Sequence, residues 1–119
     1  MDKNFYITTP IYYPSAKPHM GHAYSSIVSD FFARLKKIQG FNFFFLTGTD
    51  EHGQKIQRAA ESKNMNPLNF CNEISQTFKD LSVTLNLSNN DFIRTTESRH
   101  QKSVVNLWNI LEKKKEIYL

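Results

Sequence analysis

The chain is poor in the features that staple or anchor a protein. It has one cysteine, Cys71, so no internal disulfide can form, which fits a reducing compartment. No stretch approaches the roughly 20 apolar residues that span a bilayer. The densest run, "FNFFFL", is far too short. No apolar segment follows the basic residue of "MDKNFYITTP", so no secretory signal is read there, and a cytoplasmic location is expected. There is no internal repeat, no low-complexity linker and no basic block. Prolines number only four, and three of them crowd into residues 10 to 18.

Large apolar side chains are plentiful: ten Phe, five Tyr and one Trp in 119 residues. That length is one domain at most, or part of a larger one. A domain of this size buries about two-thirds of the surface its unfolded chain exposes. The net charge of +4 fits an anionic ligand such as a nucleotide or RNA, and it equally serves ordinary solubility.

"FYITT", residues 5 to 9, is β-branched and aromatic and stops at Pro10, which reads as a buried strand. From about Met20 the period becomes helical. Ile27, Phe31, Leu35 and Ile38 form a stripe, with Val28 and Phe32 beside it, and Gly40 ends the helix as a C-cap glycine. "FNFFFLTG", residues 41 to 48, is a second strand, and its near-continuous apolar character predicts burial on both faces. After the polar turn "TDEHG" a helix is predicted over 54–62. Asn66-Pro67 opens another, with Leu68, Cys71, Ile74, Phe78, Leu81 and Leu85 on one stripe. "DFIRTT" is a short strand or extended segment. Thr96 is the expected N-cap of a last helix carrying Val104, Trp108 and Leu111.

Strand, helix, strand within the first 50 residues is a βαβ unit, so the fold class is α/β with a parallel sheet and flanking helices. Ligands of such sheets bind beyond the carboxyl ends of the strands. The polar segments 10–22 and 47–53 both follow strands and therefore belong on one rim. Two histidines, His19 and His22, stand around Gly21 at the start of the first helix. Free backbone N–H groups and the positive end of the helix dipole attract phosphate there, and imidazoles add donors. Gly21 lets a flat base or a phosphate approach the backbone. Asp50, just after the second strand, suits a ligand ammonium group; its bland reading is a cap for the helix after Gly53. Pro10, Ile11, Tyr12 and Tyr13 offer an apolar wall. A shared metal on His19, His22, His52 and Asp50 is the weaker alternative, because zinc needs three or four ligands. The rim has the chemistry of a site for an amino acid plus ATP.

At these residues a resemblance emerges. "FYITTPIYYPSAKPHMGHAYSSIVSDFFARLKKIQG" followed by "FFLTGTDEHGQKI" resembles the N-terminal part of bacterial methionyl-tRNA synthetases, which are class I aminoacyl-tRNA synthetases. "HMGH" is similar to that family's HIGH signature, and "DFIRTTE" extends the likeness over nearly the whole chain. The resemblance implies a Rossmann-like nucleotide-binding fold. It also implies ATP-dependent activation of methionine to methionyl-adenylate, then transfer to tRNA(Met), with Mg2+ accompanying the ATP. By position, His19 and His22 would be catalytic and bind the ATP phosphates. Gly21 and Lys17 would also contact ATP, Lys17 with the weaker claim. Pro10, Ile11 and Tyr13 would line the methionine pocket, and Asp50 would hold the ammonium. No resident metal is implied within these residues, and no DNA or membrane partner.

The family's KMSKS loop, the cysteine knuckle that can bind zinc and the anticodon-binding helices have no counterpart in this sequence. Residues 1–119 therefore match the N-terminal portion of the catalytic domain, up to about where the connective-peptide insertion begins. The expectation is an incomplete fold, inactive on its own. The readings left open are a catalytically dead binding module, a related nucleotidyltransferase and a synthetase for another apolar amino acid.

Overall fold

A computed structural model describes residues 3–118; Met1, Asp2 and Leu119 lie outside the described residues. The elements are β1 (Asn4–Thr8), α1 (Met20–Ile38), β2 (Asn42–Thr49), α2 (Gln54–Glu61), α3 (Pro67–Thr84), β3 (Asp91–Arg94) and α4 (Ser98–Lys113). The three strands form one sheet in the order β1-β2-β3. Both pairings are parallel, with Ile7 opposite Phe45 and Thr47 opposite Phe92. Parallel neighbours need a crossover; α1 makes the first, and α2 with α3 makes the second. Every strand therefore ends on the same rim.

The local sequence explains most boundaries. Gly40, at φ 80°, closes α1: its N–H reaches the Lys37 carbonyl, and the Phe41 N–H reaches that of Lys36. That is a Schellman ending, and a left-handed residue there favours glycine. Asn66 caps α3 by accepting from the Leu68 N–H at 2.9 Å, with Pro67 at the first helical position.

The main core lies between α2 and α3. Ile56, Ala60, Phe70, Cys71, Ile74 and Phe78 are buried together with Tyr12. Phe45 is fully buried in the sheet.

Five sequence expectations need correction. β1 is not the buried strand expected: none of its residues is enclosed, and Tyr6 is exposed. Thr96 is not the N-cap of α4; that position is Glu97. Thr96 instead turns its hydroxyl to Glu51. Leu68 leaves the α3 stripe and is half exposed, while its neighbour Phe70 takes the core position. In β2 only the carboxyl half is enclosed; Phe44 is exposed and stacks on Tyr6 of β1. On α4, Val104 and Trp108 are exposed, and no residue of that helix is buried.

A further difference concerns which face of α1 meets the sheet. Its buried residues are Ala23, Ser26, Ser29, Asp30 and Ala33. Small side chains let the helix lie close to the strands. Asp30 adds a polar tie, accepting from Arg34 Nε and from the N–H and hydroxyl of Ser88, each at 2.6 Å. Ile27, Val28, Phe31, Phe32 and Ile38 point away from this sheet. Periodicity located the helix and its two faces, but not their partners.

Candidate functional site

The rim is assembled by backbone hydrogen bonds. After β1 the chain stays on β2: the Thr9 N–H donates to the Leu46 carbonyl at 3.2 Å. Pro10 and Ile11 then swing out and are exposed. Tyr12 returns, pairing with Thr49 as an isolated parallel bridge. Its N–H donates to the Gly48 carbonyl at 2.9 Å, and its carbonyl accepts from the Asp50 N–H at 2.9 Å. The segments after β1 and β2 are therefore joined residue to residue. Gly48 is required by a neighbour: a Cβ there would lie 2.0 Å from the Ile93 carbonyl oxygen of β3.

Tyr12 also fixes the start of α1. Its ring lies edge-on to His22, centroids 4.8 Å apart, and stacks on Phe78 of α3 at 5.5 Å. Its hydroxyl is 3.0 Å from Ser26 Oγ and donates to the His22 carbonyl at 3.3 Å. One buried side chain thus links the loop after β1, the first turns of α1 and α3.

The two histidines cap their own helix. His19 Nδ1 accepts from the Gly21 N–H at 3.1 Å, and His22 Nδ1 accepts from the His19 N–H at 3.1 Å. A neutral imidazole that accepts at Nδ1 carries its proton on Nε2. Both rings are therefore fixed as Nε2–H donors, side by side with centroids 3.9 Å apart. Burial, and secondarily the neighbouring His19, hold His22 below its ordinary pKa of 6.5, so it is neutral near pH 7. A side chain at Gly21 would sit 2.9 Å from His19 Cε1, so glycine is what lets the His19 ring fold over the first turn.

A cleft of about 360 Å³ opens beside them, lined by Ile11, Tyr13, Lys17, His19, His22 and Lys55 among others. It gathers Ile11, Tyr13 and Lys17 from the loop and the two histidines from α1. Pro10, Gly21 and Asp50 do not line it. Asp50 is joined by its backbone N–H to Tyr12, which does line it. Nor is Asp50 a helix cap: the N-cap of α2 is Gly53, and no side chain caps it. Among the described residues no group of three His, Cys, Asp or Glu converges as a metal site, so His19, His22, His52 and Asp50 do not gather as one.

Two residues of this rim escaped the sequence reading. Lys55 lines the cleft from the first turn of α2, where a cation opposes the helix dipole; that misplacement was a readable signal. Glu51 is the other. Its side chain is fully buried and receives Arg94 through Nε at 2.6 Å and a second guanidinium nitrogen at 3.0 Å. Ser75, Thr96 and Thr49 also donate to it. Burial pushes the Glu51 carboxyl up, but the hydrogen bonds, that of Arg94 foremost, outweigh it and hold the group below its ordinary value. The larger hollow, about 420 Å³ beside Lys79, Asn86 and Phe92, involves the start of β3 and so lies away from this rim.

Comparison with known proteins adds an independent line. The family described as tRNA synthetases class I (M) matches residues 5–119. A mitochondrial methionine–tRNA ligase of Takifugu rubripes is 52% identical over 98% of this chain, which is 20% of that relative. A methionine–tRNA ligase of Rickettsia conorii is 50% identical over 99% of this chain and 23% of its own. In three dimensions, the Mycobacterium tuberculosis methionyl-tRNA synthetase in complex with methionyl-adenylate superposes with a TM-score of 0.90 at 40% identity, covering 93% of this chain and 22% of that one. The chain thus spans 20–23% of the length of these relatives. No described helix is long and apolar enough to cross a membrane.

Proposed function

This chain belongs to the class I tRNA synthetases of the methionine type, and on that premise we propose that it forms the methionine- and ATP-binding part of a methionine–tRNA ligase. In this reading residues 1–119 are the N-terminal portion of the catalytic domain. Methionine, ATP with its Mg2+ and tRNA(Met) are substrates of the whole protein, at work in the cytoplasm.

The observation that carries the reading is the double hydrogen bond of Tyr12 to Gly48 and Asp50. It puts the phosphate-seeking helix start and the acid on one rim. The methionine carboxylate attacks the α-phosphate of ATP, and pyrophosphate leaves. Such a displacement needs positioning and charge stabilisation more than covalent help. His19 and His22, with both Nε2–H groups free of the helix cap, donate to the phosphate oxygens as charge moves onto them. Lys17 supplies a positive charge in the same cleft. Asp50 holds the ammonium, and Pro10, Ile11 and Tyr13 enclose the thioether side chain. Gly21 keeps the first turn of α1 open to the nucleotide.

Methionine-dependent exchange of pyrophosphate into ATP tests this in the full-length gene product. Exchange is expected with methionine and to fall about 100-fold or more in His22→Ala, the order of loss when one transition-state donor is removed. Exchange driven by another apolar amino acid, or by none, would overturn the reading.

A further inference from the structure

The segment Arg94-Thr95-Thr96 begins at the last residue of β3, and nothing in the proposed chemistry uses it. In the structure each of its residues bonds to the neighbouring strand end, at Thr49, Glu51 or His52, the residues on either side of Asp50. Arg94 donates through two nitrogens to the two oxygens of Glu51. The Thr95 hydroxyl accepts from the Glu51 N–H at 2.8 Å, its N–H donates to the Thr49 carbonyl at 3.2 Å, and its carbonyl is 3.4 Å from His52 Nε2. The Thr96 hydroxyl donates to the second Glu51 oxygen. Arg94 is braced in turn by Asn72 of α3 at 2.7 Å, and Ser75 of the same helix donates to Glu51.

A buried ion pair is a costly way to gain stability, and well-packed apolar residues often do as well. What a bidentate pair with satisfied partners supplies is fixed geometry. Glu51 is enclosed, and its sequence neighbours Asp50 and His52 are both more accessible. Locking the middle residue sets where the outer two face the ligand.

We propose that Arg94, Thr95 and Thr96 form a positioning clamp that acts through buried Glu51 to hold Asp50 at the place where an amino acid's ammonium group binds. The proposal rests on the ligase reading above. The clamp touches no phosphate-binding residue, so its loss falls on the amino acid and not on ATP.

The test is pyrophosphate exchange by the full-length gene product, with KM measured separately for methionine and ATP. Thr95→Val removes the hydroxyl that receives the Glu51 N–H and keeps the side-chain shape; Thr95→Ser keeps the hydroxyl. Glu51→Gln keeps the shape of the acid and removes its charge. Thr95→Val and Glu51→Gln are expected to raise the methionine KM about tenfold or more, within the range that small misplacement of a binding group costs. The ATP KM stays within about twofold, and Thr95→Ser behaves as the parent. Should Glu51→Gln not fold, the two Thr95 variants decide alone. Equal rises in both KM values, or none in folded variants, would overturn the clamp. Asp50→Asn separates the two ideas. If it leaves the methionine KM unchanged, the ligase reading of Asp50 fails and the clamp with it. If it raises that KM and the clamp variants do not, only the clamp fails.

Discussion

His22 serves the helix with one nitrogen, Nδ1, and leaves Nε2 free of that cap. Nδ1 receives the His19 N–H and cannot do so when protonated. The ring's lowered pKa is therefore part of the local structure: burial and His19 keep it neutral, and neutrality keeps the capping bond. The linkage follows. In the unfolded chain the ring takes its proton near 6.5, while in the folded one it does so only at lower pH. Its contribution to stability is complete above pH 6.5 and declines as pH falls from there toward the folded value. NMR titration of the full-length gene product should place the His22 midpoint below 6.5. His19→Gln should move that midpoint upward, because the second of its two causes is removed. An unchanged midpoint would mean that His19 has no electrostatic hold on His22.

Elements here are positioned by a few demanding residues. Asn66 caps α3, the helix that supplies Phe70, Cys71, Ile74 and Phe78 to the core. Asn66→Ala should cost about 1 kcal/mol in chemical denaturation, the usual effect of losing such a cap. Gly48 is less forgiving. Any Cβ meets backbone of β3, which cannot rotate away as a side chain would. Gly48→Ala should cost about 3 kcal/mol by forcing the two strands apart. If it costs less than the cap, β3 is more loosely held than its register indicates. Between elements, Glu51 ties β2 to β3 and α3. Its folded pKa is depressed, so its stabilisation is present above the unfolded value of about 4.5 and fades as pH falls below that. Glu51→Gln should flatten the acid limb of a stability-versus-pH curve; a limb of unchanged slope would assign that loss to other carboxylates, such as Asp30 and Asp91, which are also depressed.

At the scale of the molecule the described residues leave much apolar surface open. Tyr24, Ile27, Phe31, Phe32 and Ile38 of α1, Tyr6 and Phe44 of the strands, and Val105, Leu107 and Trp108 of α4 are all exposed. Among the described residues β1 is also an edge strand, paired with β2 alone. Unpaired edges and contiguous apolar faces drive association. Residues 1–119 produced alone should bind a hydrophobic dye and run larger than 13.9 kDa by light scattering. A monodisperse, dye-free monomer would show that these faces tolerate water.

Some of this was legible along the chain, because the signals are local. Period, Pro10, Gly40 and the Asn66-Pro67 pair depend on neighbours within a turn or two, and they located β1, α1, β2, α2 and α3 within a residue or so. The rule that ligands gather at strand ends placed His19, His22 and Asp50 on one rim before any contact was known. Tertiary structure alone decided the rest. Glu51 looked like a polar loop residue because Arg94 lies 43 residues away, and only the β2–β3 pairing brings them together. Thr96 looked like a cap for the same reason: a hydroxyl serves whichever acceptor the fold supplies, and here it is Glu51. The face of α1 that meets the sheet was open as well. A 3.6-residue period shows that residues share a side, and closeness of approach, set by Ala23 and Ala33, determines which side is taken.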